Sequence, residues 1–142
     1  MANVTVALDR AHYQTHITTG THVLWADEPK EAGGQDEGMD PFELLLASLG
    51  SCTAITVRMY ADRKQWPLET IRIVLKRAQD KEQQRSRIHM KIRLTGDLSD
   101  AQRQRLMEIA GKCPVHRVLM NPLEIVSELQ GVPPPGREAA EE

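Results

Sequence analysis

The stretch Asp40-Pro-Phe-Glu-Leu-Leu-Leu-Ala-Ser-Leu-Gly-Ser-Cys52 decides the fold. Asp is a strong N-cap, Pro suits the first helical position, and Glu43 falls at N3, where it completes a capping box. The helix so started is expected to run to about Arg63. From Leu44 to Val57 it is apolar or small on nearly every side, through Leu44, Leu45, Leu46, Ala47, Leu49, Ala54, Ile55 and Val57. A helix apolar all round is a buried one. Its second half, with Arg58, Asp62, Arg63 and Lys64, turns polar and emerges.

Upstream of this helix the chain reads as short strands. Val4, Val6 and Leu8 alternate with polar neighbours, Thr15, Ile17 and Thr19 lead into the turn residue Gly20, and His22 to Ala26 continue the meander. Asp27 to Met39 form a polar, glycine-containing loop with few core candidates. Downstream, Leu68, Ile71, Ile73 and Leu75 mark a strand. Ile88, Met90, Ile92 and Leu94 alternate with His89, Lys91 and Arg93 as a second, half-exposed one. The charged residues Arg77 to Arg87 are expected to be a hairpin connection or mobile loop. Ser99 and Gln102 make another capping box, followed by the apolar stripe Leu106, Ile109 and Ala110. Ile125, Ser127 and Leu129 are expected to form a last strand.

The order β-β-(β)-α-β-β-α-β around a wholly buried helix means an α+β fold, with antiparallel sheets packed on a long central helix. Residues 1–131 are expected to be one domain and 132–142 a flexible C-terminal tail. A chain of 142 residues buries roughly two thirds of its unfolded surface. A helix this apolar needs cover on all sides, which points to a second copy of the chain.

Composition excludes several classes of function. A net charge of −2 advertises no basic face to nucleic acid, and 4% aromatics supply little base-stacking surface. No apolar stretch is expected to reach the ~18 residues of a membrane span, and Met1-Ala-Asn-Val lacks a basic-then-apolar signal pattern. A cytoplasmic protein without membrane or nucleic-acid partners is the resulting expectation. There a pair of cysteines is more often catalytic, redox-sensing or metal-binding than a permanent staple.

The two cysteines are Cys52 and Cys113. Cys52 follows Gly50-Ser51, small residues that let another segment approach closely. Ser48 and Thr56 lie one turn to either side, with their hydroxyls on its face. Cys113 follows a helix and precedes Pro114, which leaves it at an N-cap-like site where free N–H groups favour a thiolate. His116 and Arg117 follow as nearby cations. Against this stands a plain packing role, since free cysteine is among the most buried residue types. A zinc site from Cys52, Cys113 and His116 is disfavoured, because there is no Cys-x-x-Cys and the other histidines lack ligand spacing. No cofactor or metal is expected.

Taken together, Asp40 to Thr53, Met59-Tyr-Ala-Asp-Arg63, the helix start at Gly96-Asp-Leu-Ser and Cys113-Pro-Val-His116-Arg117 resemble the OsmC/Ohr family. The resemblance covers roughly residues 20 to 130 and is closest to the OsmC-like redox-protein branch. It implies an intertwined homodimer with two long helices at its centre and two sites at the subunit interface. It also implies a thiol-dependent peroxidase for organic hydroperoxides, with Cys52 as the nucleophile and Cys113 as the resolving thiol. A dithiol reductant, such as a lipoylated protein, would close the cycle. Peroxidase members carry a Glu directly after the motif's Pro and an N-terminal Arg. Here Phe42 takes that position with Glu43 one step later, and Arg10 is the only arginine before residue 58. Nine residues of straight helix put Glu43 about 13.5 Å along the axis from Cys52 and on the opposite side. Glu43 is therefore either a catalytic partner reached through a kink or a second subunit, or simply the cap. Phe42, Met39, Leu45 and Leu49 are the candidates for lining an apolar substrate pocket. The alternative is a non-catalytic or weakly active dimer that binds an apolar or thiol-reactive small molecule.

Overall fold

A computed structural model describes residues 3–131. Three short strands, β1 (Thr5–Ala7), β2 (Thr15–Thr19) and β3 (His22–Ala26), form an antiparallel sheet in that order, with Val6 opposite Ile17 and Ile17 opposite Leu24. Helix α1 (Pro41–Arg63) follows, then β4 (Leu68–Asp80) and β5 (Arg85–Gly96), which pair as a long antiparallel ribbon. Helices α2 (Asp100–Ala110) and α3 (Pro114–Met120) close the described chain. The α+β architecture matches the expectation, and both capping boxes form: Asp40 with Glu43, and Ser99 with Gln102.

The core lies where α1 meets the ribbon and α2. Val57, Ala61, Leu68, Leu106 and Ala110 form a buried cluster, with Ile71, Ile92 and Leu94 packed against it. Gly50 lets α1 come close to β4, because a Cβ there would stand 2.7 Å from Cδ1 of Leu75. The small residues beside Cys52 thus admit the segment they were expected to admit.

The loop before α1 is more ordered than its polarity implies. Asp27, only 2% exposed, accepts backbone N–H groups from Glu28 at 2.7 Å, Tyr13 at 3.1 Å, Glu37 at 3.2 Å and Gln35 at 3.3 Å. Its own N–H donates to the Met39 carbonyl at 3.2 Å, and Ala26 and Met39 form a parallel bridge. Gly34 is required there, since any Cβ would overlap the Glu28 carbonyl. One carboxylate thereby ties the first sheet to the start of α1.

Four expectations are corrected. Helix α1 is not wholly buried within one chain: Leu49, Gly50, Thr53, Val57 and Ala61 are, while Ile55 and Met59 are 54% and 67% exposed. The all-round apolar pattern states what the helix needs covered, and one chain covers a single face. Helix α1 also contains an 18-residue window of mean hydropathy 1.4, so by length and composition alone it is apolar enough to cross a membrane, as a core helix can be. The charged segment Arg77 to Arg87 is largely strand, leaving only the turn between Asp80 and Arg85, because charges on the solvent side of a ribbon leave its ladder intact. Ile125, Ser127 and Leu129 form no strand, and Leu129 is 99% exposed. Alternation expresses a preference for pairing, and no strand lies beside this segment among the described residues. The C-terminal tail expected from residue 132 lies outside the described residues.

Burial alone would raise the Asp27 carboxyl, but its four backbone donors outweigh that and hold it below the ordinary carboxylate value. A depressed folded value means stability that is present above the unfolded pKa and lost as pH falls through the folded one. Asp27→Asn should therefore melt several degrees below wild type at neutral pH, with the gap narrowing below about pH 4. Thermal melts across that range check this.

Candidate functional site

The buried stripe of α1 sets the site. Leu49, Thr53 and Val57 succeed one another at i, i+4 spacing, so Thr53 faces inward among apolar neighbours. A hydroxyl buried there must find partners. Its Oγ1 lies 2.9 Å from the Leu49 carbonyl, 3.6 Å from Sγ of Cys113 and 3.9 Å from Sδ of Met90 on β5. Thr53 is fully buried, and so is Cys113.

Cys113 caps α3 as its sequence setting predicts. Its backbone is extended, Pro114 occupies the first helical position, and Sγ accepts the N–H of His116 at 3.2 Å. The Val115 N–H and the Cys52 thiol also favour its thiolate. Cys52 adjoins Thr53 on α1 and is thereby placed in the neighbourhood of Cys113; both cysteines are free thiols. Cys52 is half-buried and Cys113 fully buried.

Burial pushes the Cys113 thiol up. Donors from His116, Thr53, Cys52 and Val115 more than offset this and bring it below the ordinary cysteine value. The stabilising groups are N–H, O–H and S–H dipoles. His116 contributes its backbone N–H, while its ring Nδ1 is buried without a partner among the described residues. Thr53 has one proton for several acceptors. Turned to Cys113 it stabilises a thiolate; turned to the Leu49 carbonyl it leaves its oxygen free to accept from a thiol.

The other residues singled out in the sequence stand apart from the sulfurs. Glu43 is exposed and its carboxylate accepts the Asp40 N–H at 3.1 Å, closing the cap. Phe42, 53% exposed, lies about 15 Å along the helix from Cys52. The Arg77 guanidinium sits 3.7 Å from the centre of its ring. Met39 is half exposed and held by its backbone to Asp27. Leu49 is buried, and its carbonyl serves Thr53. One chain does not gather Phe42, Met39 and Leu49 into a single pocket around Cys52. Thr53 was missed by sequence reading, which placed the hydroxyls of Ser48 and Thr56 beside Cys52; the available signal was a polar residue inside the apolar i, i+4 stripe.

Thr53→Val removes the hydroxyl while keeping its shape. In a Cys52→Ser background, which isolates Cys113, the thiolate absorbance of Cys113 followed against pH should shift to a higher midpoint. An unchanged midpoint would show that the Thr53 hydroxyl does not donate to this sulfur.

Comparisons with known proteins fit this arrangement. The model of the OsmC-like protein family matches residues 34–128, which include both cysteines. An OsmC-like protein from Mycoplasma pneumoniae superposes with TM-score 0.73 at 17% identity, over 84% of this chain and 87% of that one. The organic hydroperoxide resistance protein OsmC of Legionella pneumophila gives 0.63 at 19%, over 84% and 88%. OhrB of Bacillus subtilis gives 0.57 at 22%, over 82% and 88%. No curated relative matches by sequence. At these identities the structures establish the fold, and the family model spans most of the chain: the protein belongs to the OsmC-like family.

Proposed function

We propose that this protein is a thiol-dependent peroxidase that reduces organic hydroperoxides, with Cys52 as nucleophile and Cys113 as resolving thiol. The observation that carries it is the convergence of two free cysteines: Cys52 adjoins Thr53, whose hydroxyl lies 3.6 Å from the Cys113 sulfur, and the Cys52 thiol is among the groups that favour the Cys113 thiolate. A second support comes from the Legionella and Bacillus relatives, whose names describe organic hydroperoxide resistance.

The pair holds one shared proton when singly ionised. Passing the Cys52 proton to Cys113 leaves Cys52 as the thiolate, on the more accessible side. That thiolate attacks the terminal oxygen of the hydroperoxide; the O–O bond breaks, Cys52 becomes a sulfenic acid, and the departing alkoxide takes a proton from solvent. Cys113 then attacks the Cys52 sulfur. Its proton leaves with the sulfenic hydroxyl as water, and a Cys52–Cys113 disulfide forms. A dithiol returns both cysteines to thiols and is itself oxidised to a disulfide; lipoylated proteins have that chemistry. No resident cofactor or metal enters these steps, and the cytoplasm keeps such a pair reduced.

A homodimer belongs to this proposal. The exposed apolar residues Phe42, Ile55 and Met59 on α1 and Val6, Val23 and Trp25 on the first sheet are surface that one chain leaves uncovered. A second copy laid along α1 would cover its open face and complete a pocket for an alkyl group. Phe42, Met39, Leu45 and Leu49 are the proposed lining residues, and Glu43 of one copy could then reach the thiols of the other.

A weaker reading is a non-catalytic dimer that binds apolar or thiol-reactive molecules. It is favoured by Glu43 being engaged in the helix cap and by Arg77 standing on Phe42, where peroxidase members have a Glu–Arg pair.

Two measurements separate these readings. Wild type should consume cumene hydroperoxide in the presence of dihydrolipoamide, and Cys52→Ser should lose at least a hundredfold in rate; equal rates for the two would rule out the peroxidase. Sedimentation at micromolar concentration should give twice the chain mass of 16.0 kDa, whereas a monomer would remove the interface site.

A further inference from the structure

Charge is sharply segregated on the β4–β5 ribbon. Thr70 to Gln79 and Ser86 to Thr95 contain no Asp or Glu, yet hold six of the chain's eighteen lysines and arginines. The remaining twelve share the rest of the chain with all twenty carboxylates, so a net charge of −2 conceals a basic face on an otherwise acidic protein.

Strand alternation collects five of these six on one side, together with His89; the sixth, Arg77, lies on the inner side against Phe42. Ile71, Ile73 and Leu75, like Met90 and Ile92, are partly buried, while Arg72, Lys76, Arg87, His89, Lys91 and Arg93 are exposed on the other face. The register places Arg72 directly opposite Arg93 and Lys76 opposite His89. The Arg72–Arg93 pair sets like charges directly opposite one another, which destabilises a ribbon. The ion pairs formed among the described residues, Arg58–Asp62 and Arg105–Glu108, lie elsewhere and leave this face unneutralised.

We propose that the outer face of the β4–β5 ribbon is a docking surface for an acidic segment of another protein. From the Arg72–Arg93 row to the Ala78–Arg87 row it is about 20 Å long, with its two columns about 5 Å apart. A compact acidic patch or peptide fits that size. A nucleic acid fits less well: the two strand segments contain no aromatic residue for base stacking, and a long polyanion would run onto the acidic remainder of the surface. The thiol pair lies on the opposite side of the ribbon, where Met90 meets Thr53. Docking therefore leaves the sulfurs untouched, and the inference does not depend on the proposed reaction.

The test is fluorescence anisotropy with a labelled poly-L-glutamate peptide. Wild type should bind it at about 0.01 M salt and release it as the salt rises to about 0.1 M, where the screening length falls from about 30 Å to about 10 Å. Neutralising four charges together (Arg72→Gln, Lys76→Gln, Lys91→Gln and Arg93→Gln) should weaken binding at least tenfold. Neutralising Arg10, Lys30, Lys64 and Lys112, which are exposed elsewhere, should change it less than threefold. The single variant Arg72→Gln relieves repulsion, so it should melt no lower than wild type while still binding more weakly. No peptide binding, or equal loss in both quadruple variants, would overturn the docking surface. Tighter binding of a DNA duplex or anionic phospholipid vesicles through the same residues would overturn the acidic-protein assignment.

Discussion

Leu49, Thr53, Val57 and Ala61 come one per turn down a single face of α1, and that stripe is the contact from which the structure is built. It holds the helix against the β4–β5 ribbon and α2. Gly50 beside it removes the one side chain that would keep β4 away. Close packing has a chemical consequence, because Thr53 sits inside the stripe. Burying a hydroxyl is costly unless it is hydrogen-bonded, and its bonds run to the Leu49 carbonyl and the Cys113 sulfur. The contact that stabilises the helix also fixes a polar donor against a thiol.

The site around the sulfurs is assembled from dipoles. Cys113 receives backbone donors because Pro114 starts a helix immediately after it, and side-chain donors because α1 passes alongside. The carboxylate singled out in the sequence, Glu43, is engaged instead in starting α1. At the position where peroxidase members carry a Glu, an aromatic ring lies under the Arg77 guanidinium. Within one chain the charged groups of the family pattern and the two cysteines are thus in separate places. The cysteine pair is polarised by neighbours that carry no formal charge.

Much of the fold was legible from local signals. Asp40-Pro41 with Glu43, Ser99 with Gln102, and Cys113-Pro114 each mark a helix start, and each signal depends only on residues within four positions of one another. The strands were legible by alternation, apart from their lengths at the hairpin tip. Ile125 to Leu129 misled for the same reason that the strands succeeded: alternation is a property of one segment, while a strand needs a second to pair with. The burial of α1 was overstated because hydropathy records what a surface requires, whichever molecule supplies the cover.

The sequence by itself determined the element order as far as α2, the helix caps, the family motifs and the presence of two cysteines in helix-start and mid-helix settings. These depend on short-range sterics and hydrogen bonding, which adjacent residues settle among themselves. Only the tertiary structure decided that Thr53 on α1 brings its hydroxyl to the Cys113 sulfur beside Cys52, and that five scattered lysines and arginines share one face of a ribbon. Cys52 and Cys113 are separated by two strands and a helix. They come into one neighbourhood because α1 packs into the ribbon on one side and lies along α3 on another, a relation between distant segments that no local pattern encodes.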